Sequence, residues 1–128
     1  MIDAGPDPDA MDGCLDRLDV EQVPLLVLTH FHADHVDGLE GVLRGRRVAA
    51  IETSAVLDPP GGARAVAASA REAGVPVTGG RFGEARQFGP VRFQVLHPDL
   101  PPGVEVPGAG DGTSANDASV VLLVEVAG

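Results

Sequence analysis

With 128 residues, the chain is long enough for one domain with a modest core. Its aromatic content is 3%, without Trp or Tyr, so that core must consist mainly of Val, Leu and Ala with four Phe. The formal net charge of −10 argues for a soluble domain and excludes tight nucleic-acid binding by this chain alone, because such binding needs a basic surface.

Cysteine content and hydropathy exclude two further classes. The single cysteine, Cys14, rules out an internal disulfide and suits a small buried hydrophobe on a helix. No stretch approaches the roughly 18 apolar residues of a membrane span. The acidic start "MIDAGPDPDA" lacks the basic region of a secretory signal, so we expect no signal peptide.

The first elements follow from turn and helix signals. Residues 1–3 suggest the end of a strand, and Asp7 before Pro8 suggests a helix N-cap. Residues 8–18 are predicted helical, because their apolar positions have helical spacing: Met11, Cys14, Leu15 and Leu18. The run "PLLVLTH", residues 24–30, is typical of a buried strand in a parallel sheet.

The later elements predict a layered α/β domain. A helix is expected from His35 to a stop at Gly45, and another over residues 62–73 with a stop at Gly74. Residues 47–53 and 75–79 are predicted strands, residues 85–98 a hairpin turning at Gly89, and residues 118–128 a last strand. Residues 98–116 are predicted to form a loop, and their length makes them a candidate functional segment.

The stretch "THFHADH" concentrates potential metal ligands: His30, His32, Asp34 and His35. It follows the carboxyl end of a predicted buried strand, where ligand sites of open α/β sheets gather. Imidazole nitrogen and carboxylate oxygen together suit transition metals such as Zn or Mn. Four ligands within six positions exceed the usual share of one metal, so we predict two metals. His30 and His32 would hold one and Asp34 and His35 the other, with Asp34 also acting as a catalytic base.

Simpler interpretations of single residues remain open. Asp34 could cap a helix that begins at His35, and His30 could be a core histidine bonded to backbone. The constellation as a whole favours metal, because three His and one Asp in this spacing seldom arise otherwise.

"HFHADH" resembles the H-x-H-x-D-H signature of the metallo-β-lactamase fold, and the flanking "LLVLTH" and "VDGL" resemble its usual setting, although Asp37 replaces a common glycine. "DAG", residues 3–5, is similar to the family's D-x-G at the end of an early strand. The resemblance implies that Asp3 lies beside the metals without binding them.

A finer resemblance is to the hydrolase-like domain of ComEC-type competence proteins, which belong to a bacterial DNA-uptake channel. It rests on "DAGPDPDAMDGCLDRL", "LLVLTHFHADHVDGLEGVL" and "NDASVVLLVEVAG" in this order. The resemblance implies a DNA phosphodiesterase with two divalent metals, located outside the cytoplasm and attached to a membrane channel domain. Asn116 stands near where other members have a metal-binding His. His97 is either its substitute or a structural histidine.

The family fold also has a second half with a "TGD" aspartate and a late histidine, and neither follows in this sequence. The resemblance therefore implies that residues 1–128 are a single partial αββα domain, mainly the N-terminal half, cut at both ends. We expect partial or no metal occupancy and no catalysis by the chain alone, and self-association through exposed sheet edges.

Two alternative functions also fit the sequence. One is a hydrolase of thioesters, as in glyoxalase-II relatives, or of β-lactams; the "NDAS" segment does not resemble those groups. The other is a metal-poor structural or interaction fragment.

Overall fold

A computed structural model describes residues 1–101 and 103–128 of the chain. Among these residues no helix is long and apolar enough to cross a membrane. The helices are α1 (Pro8–Arg17), α2 (Ala33–Val36), α3 (Leu39–Leu43) and α4 (Pro60–Ala73). The strands are β1 (Gln22–Val23), β2 (Leu26–Leu28), β3 (Arg47–Val48), β4 (Ile51–Thr53), β5 (Val77–Gly79), β6 (Ala85–Phe88), β7 (Val91–His97) and β8 (Val121–Val126).

The strands form one parallel and one antiparallel three-stranded sheet, with a small parallel pair beside them. The parallel sheet has the order β2-β4-β5, and Ile2 adds a parallel bridge to Val27 at its edge. The antiparallel sheet has the order β6-β7-β8, and β1 pairs with β3. This mixture of helices with parallel and antiparallel sheets confirms the predicted α/β class and fits part of an αββα sandwich.

Two apolar clusters lie on opposite faces of the parallel sheet. Leu26 and Leu28 point toward the helices and belong to the larger cluster, whereas Leu25 and Val27 point toward the antiparallel sheet. The alternation follows from the two-residue period of a strand. The smaller cluster between the sheets consists of Leu25, Val27, Phe93, Val95 and Val120. The layers are therefore helices, parallel sheet and antiparallel sheet.

Several local predictions are confirmed. The Asp7 carboxylate caps α1 by accepting the N–H groups of Asp9 and Ala10, each at 2.9 Å. Gly74 ends α4 in the left-handed conformation, with φ of 70°. The β6–β7 hairpin turns at Gly89. Cys14 lies on α1 and is unpaired, as predicted, but it is half-buried and not buried.

Other local predictions are wrong. The helix expected from His35 starts two residues earlier and is divided into α2 and α3, so Asp34 lies in the first turn and does not cap it. The strand expected over residues 47–53 is divided into β3 and β4. The predicted loop 98–116 is confirmed for its described residues, which exclude residue 102: they form no helix or strand, and a single isolated bridge joins Val106 to Val56.

The division between α2 and α3 has a tertiary cause at Gly38. The Gly38 N–H donates to Gly5 O at 2.7 Å, and the Ala4 N–H donates to His35 O at 2.8 Å. This contact brings the two backbones so close that a Cβ at Gly38 would lie 2.1 Å from Ala4 O. Only glycine fits there, and the contact fastens residues 3–5 against the histidine-rich turn.

Glu52 is a buried carboxylate at the centre of β4. It lies in register with Val27 and Thr78, faces the antiparallel sheet and is fully buried. Arg86 Nη2 is 3.3 Å from its Oε2, but neither oxygen accepts a hydrogen bond within the described part of the chain. Burial raises the pKa of Glu52, and the charge of Glu84 raises it further, while Arg86 opposes both effects.

The outer strand β8 carries exposed apolar side chains at Val121, Leu123, Val124 and Val126. Among the described strands only β7 pairs with it. Self-association through this edge stays a prediction, because an unpaired apolar strand is a template for another chain.

Replacing Gly38 by Ala tests the close contact with Ala4. The added Cβ forces the two backbones apart, and we expect the free energy of unfolding to fall by about 1–3 kcal/mol, as for other overpacked sites. Urea unfolding followed by circular dichroism measures it. Gly61→Ala is the matched control, since a Cβ there meets no atom within 4 Å. An equal effect in both variants would contradict the steric explanation.

Glu52→Gln tests the buried carboxylate through its pH dependence. Because the pKa of Glu52 is higher in the folded state, the unfolded chain loses this proton first as pH rises above the ordinary value of 4.5. Ionisation therefore disfavours folding progressively until the folded pKa is passed. We expect the stability advantage of Glu52→Gln over wild type to be larger at about pH 8 than at about pH 4. Urea unfolding at both pH values measures this, with exposed Glu72→Gln as control; a pH-independent difference would refute it.

Candidate metal centre

The candidate site comprises residues 29–35, which are the turn of residues 29–32 after β2 and the first three residues of α2. Its side chains differ in exposure: His30 is buried, His32 and His35 are half-buried, and the Asp34 side chain is 73% exposed. The turn lies at the carboxyl end of β2 in the parallel sheet, which is the edge predicted from sequence.

The turn brings the three imidazoles together. The ring centroids of His30 and His35 are 3.9 Å apart, and those of His30 and His32 are 4.9 Å apart. Asp34 Oδ2 lies 3.6 Å from His35 Nε2 at the outer rim. His30 therefore lies against both other imidazoles and Asp34 lies beside His35, although on a regular strand His35 would face away from His30 and His32.

Asp3 fixes the orientation of His35. Its backbone is in the left-handed region, with φ of 53°, which Asp tolerates better than most residues. Its Oδ2 accepts a hydrogen bond from His35 Nδ1–H at 2.7 Å, and its Oδ1 accepts the Thr29 N–H at 2.8 Å. With Nδ1 committed to a carboxylate, His35 presents Nε2 toward the cluster.

The hydroxyls of Thr29 and Ser119 fix the orientation of His30. Thr29 Oγ1 donates to Asp3 Oδ2 at 2.8 Å, and Ser119 Oγ donates to Ala115 O at 3.5 Å. Both hydroxyl protons are thus used, and each oxygen accepts from His30 Nδ1–H, at 3.0 and 3.1 Å. Nε2 of His30 then carries a free lone pair, and it is buried without a partner among the described residues.

His32 is held by its other ring nitrogen, Nε2. Its Nε2 lies 2.9 Å from Gly112 O, and because a carbonyl only accepts, Nε2–H is the donor. Nδ1 is therefore the nitrogen that His32 can offer to a metal. Its carbonyl partner belongs to the segment of residues 108–114, here called the Asp58 loop because the Asp58 carboxylate binds it.

Electrostatics keep His30 neutral. Burial lowers the pKa of His30, and the neighbouring imidazoles of His35 and His32 lower it further; the carboxylates Asp3 and Asp34 oppose this. A neutral imidazole is the form that binds metal.

The donor set fits divalent transition metals in chemistry, but it is not gathered into a finished site. Within the described ranges no group of three or more His, Cys, Asp or Glu side chains is arranged to hold a metal ion. The buried, unpartnered Nε2 of His30 nevertheless has the property expected of a ligand atom. Metal binding by His30, His32, Asp34 and His35 therefore remains a prediction, and so does the expected partial occupancy of the site by metal.

His97 and Asn116, the two further candidates, lie elsewhere. His97 is exposed, and its Nε2–H donates to Asp117 O at 2.7 Å, which favours a structural role. The Asn116 side chain is exposed. The Asn116 backbone carbonyl accepts the Ser119 N–H in a turn. That turn places Ser119 beside His30.

Four residues of the site were missed by sequence reasoning: Thr29, Asp58, Gly112 and Ser119. Ser119 belongs to the "NDAS" segment that the sequence had already distinguished, and Gly112 belongs to the long loop flagged as functional by its length. No local signal pointed to Asp58, because its partners lie more than fifty positions away, with separations of 54 and 56.

Comparison with known proteins identifies the family. The model of the metallo-beta-lactamase superfamily matches residues 1–123, and the chain belongs to this superfamily, whose members are generally hydrolases. The chain is also similar to ComE operon protein 3 of Bacillus subtilis strain 168, with 31% identity over 111 residues. The match covers 85% of this chain but only 13% of that relative, and it confirms the resemblance to ComEC-type proteins.

Thr29→Val tests the hydroxyl bridge between Asp3 and His30. The variant keeps the shape but removes a donor to a carboxylate, so we expect the free energy of unfolding to fall by about 1.5–3 kcal/mol. His30 loses one of two acceptors for Nδ1–H, and its single tautomer should become a mixture. Long-range proton–nitrogen NMR of the imidazoles measures this. Thr78→Val, at an exposed position on β5, is the control; unchanged His30 signals in Thr29→Val would contradict the assignment.

Proposed function

We propose that this chain is part of a metal-dependent hydrolase that cleaves phosphodiester bonds of DNA during competence-related DNA uptake. Two divalent transition metals, Zn or Mn, would be bound by His30, His32, Asp34 and His35 in the complete domain. The chain spans 13% of the relative it matches, so activity, substrate and partners are proposed for the longer protein context and not for residues 1–128 alone.

The observation that carries the proposal is the close approach of the His32 and His35 imidazoles to His30, whose Nε2 has no partner among the described residues. His30 Nε2 is buried beside His32 and His35, and such an orphaned acceptor is unfavourable unless something binds it. A purely structural histidine core would be expected to satisfy that nitrogen with backbone or hydroxyl.

The chain's own residues have distinct roles in this proposal. Bound divalent metals would supply Lewis acidity and lower the pKa of a water molecule. Asp3 holds His35, and Thr29 with Ser119 holds His30, so that their Nε2 atoms face the cluster. Asp34 is the most exposed of the four, and its carboxylate can accept a proton at the open side of the site.

DNA as substrate is supported by the similarity to ComE operon protein 3 and by the fit of such a site to a phosphodiester. A net charge of −10 opposes DNA binding by this chain alone, so other parts of the protein or the metals must supply positive charge. We propose an extracytoplasmic location beside a membrane channel domain.

One observation favours a second candidate, a metal-poor structural or interaction unit. The described residues hold no pre-arranged group of three or more metal ligands. An incomplete ligand set binds metal poorly. We therefore expect residues 1–128 in isolation to be partly occupied at best and inactive.

The decisive experiment measures metal-dependent DNA cleavage by the full-length gene product and by variants of the cluster. His32→Ala and Asp34→Ala are each expected to lower cleavage by more than about 100-fold, since removing even residues that only support a ligand lowers metal affinity or activity about 10–100-fold. Elemental analysis should show loss of bound Zn or Mn, and chelation should abolish cleavage.

His97→Ala is the matched control, because this histidine is exposed and among the described residues its side chain bonds to the Asp117 carbonyl alone; the cleavage activity of this variant should be unchanged. Undiminished cleavage in both cluster variants would refute the proposal. Metal binding with hydrolysis of a glutathione thioester but not of DNA would favour the thioester alternative. A full-length protein that binds no metal would favour the structural unit.

A further inference from the structure

Asp58 is a buried carboxylate whose partners all lie in one distant loop. It follows β4 and is fully buried. Its Oδ1 accepts the Gly112 N–H at 2.8 Å, and its Oδ2 accepts the Ser114 N–H at 3.0 Å and the Ser114 hydroxyl at 2.6 Å. Both oxygens are thus satisfied by the Asp58 loop, as a buried charge requires.

These bonds keep the carboxylate ionised. The Ser114 hydroxyl is the main reason that the pKa of Asp58 is lowered, and the backbone N–H groups of Gly112, Ser114 and Gly110 lower it further; burial opposes them. Charge-assisted bonds of this kind are stronger than neutral ones and hold the loop in one conformation. The proposed hydrolysis assigns no role to this carboxylate.

Gly112 connects Asp58 to the candidate metal centre. Its N–H is bound by Asp58, while its carbonyl accepts the Nε2–H of His32 at 2.9 Å. Its φ is +88°, a conformation that side chains disfavour, and a Cβ there would lie 3.2 Å from His32 Nε2. Glycine is therefore needed both for the backbone turn and for the close approach of the imidazole.

We propose that Asp58 is a positioning residue for the metal centre: acting through Gly112, it holds His32 with a proton on Nε2 and so directs Nδ1 toward the metal. The inference rests on the proposed metal site but adds a determinant outside the histidine motif. The partner that fixes a ligating imidazole is usually a carboxylate or a carbonyl, and here a carboxylate fixes the carbonyl that does so.

The test uses the 128-residue chain and two readouts, the tautomer of His32 without metal and the affinity for Zn²⁺ alone. In Asp58→Asn one acceptor oxygen becomes an NH₂ group that faces N–H donors, so the Asp58 loop should loosen. We expect His32 to change from one Nε2–H tautomer to a mixture in long-range proton–nitrogen NMR. Zn²⁺ affinity, measured by competition with a chromophoric chelator, should fall about 10–100-fold.

Asp111→Asn is the matched control, because it makes the same charge change within the loop that Asp58 binds. Among the described residues the Asp111 carboxylate bonds to Thr113 alone, so the His32 tautomer and Zn²⁺ affinity should remain those of wild type. Ser114→Ala removes one hydrogen-bond donor from Asp58 and should change the His32 tautomer and the Zn²⁺ affinity in the same direction as Asp58→Asn, but less. If Asp58→Asn does not fold, Ser114→Ala replaces it in the test.

The outcomes separate this inference from the proposed function. A single Nε2–H tautomer of His32 retained in folded Asp58→Asn, or in Ser114→Ala when the first variant is unfolded, overturns the positioning role whatever the metal does. A tautomer that responds to these variants, but not to Asp111→Asn, supports the role. If the wild-type chain and the full-length protein both fail to bind Zn²⁺ or Mn²⁺, the proposed function is overturned while the tautomer result stands.

Discussion

The carboxylate of Asp3 is the interaction on which the site depends. It accepts hydrogen bonds from the His35 ring, the Thr29 hydroxyl and the Thr29 backbone N–H, and through Thr29 it reaches His30. Because Asp3 precedes the first helix and the histidines follow β2, this single group binds two distant segments together and orients two of the three imidazoles.

The polar groups that support the site are linked by chains of hydrogen bonds, whereas the core beneath it is packed from apolar side chains. Thr29 and Ser119 both accept from the His30 ring, and their own protons are given to other acceptors. Such networks define one arrangement of donors and acceptors, whereas apolar contacts between Leu and Val tolerate several. Nε2 of His30 is the exception in this network, because it has no partner among the described residues, and the proposed function rests on it.

The acidic character and the apolar edge of the chain are compatible with a part of a larger assembly. A surface with a net charge of −10 repels DNA unless positive groups are provided elsewhere. The exposed Val and Leu side chains of β8 suit contact with further polypeptide. The chain spans 13% of ComE operon protein 3, to which it is 31% identical over the matched residues.

The sequence by itself determined the α/β class, most element positions, the Asp7 cap, the Gly74 stop, and the location of the histidine cluster at the end of β2. These depend on local periodicity and turn chemistry, which can be read within about ten residues. The tertiary structure alone decided the break at Gly38, the nitrogen that each histidine presents, and the connection from Asp58 through Gly112 to His32. The physical reason is distance along the chain: the bonds that set the histidine nitrogens and the Asp58 connection join residues 32, 54, 80 and 89 positions apart, and no local pattern encodes such pairings.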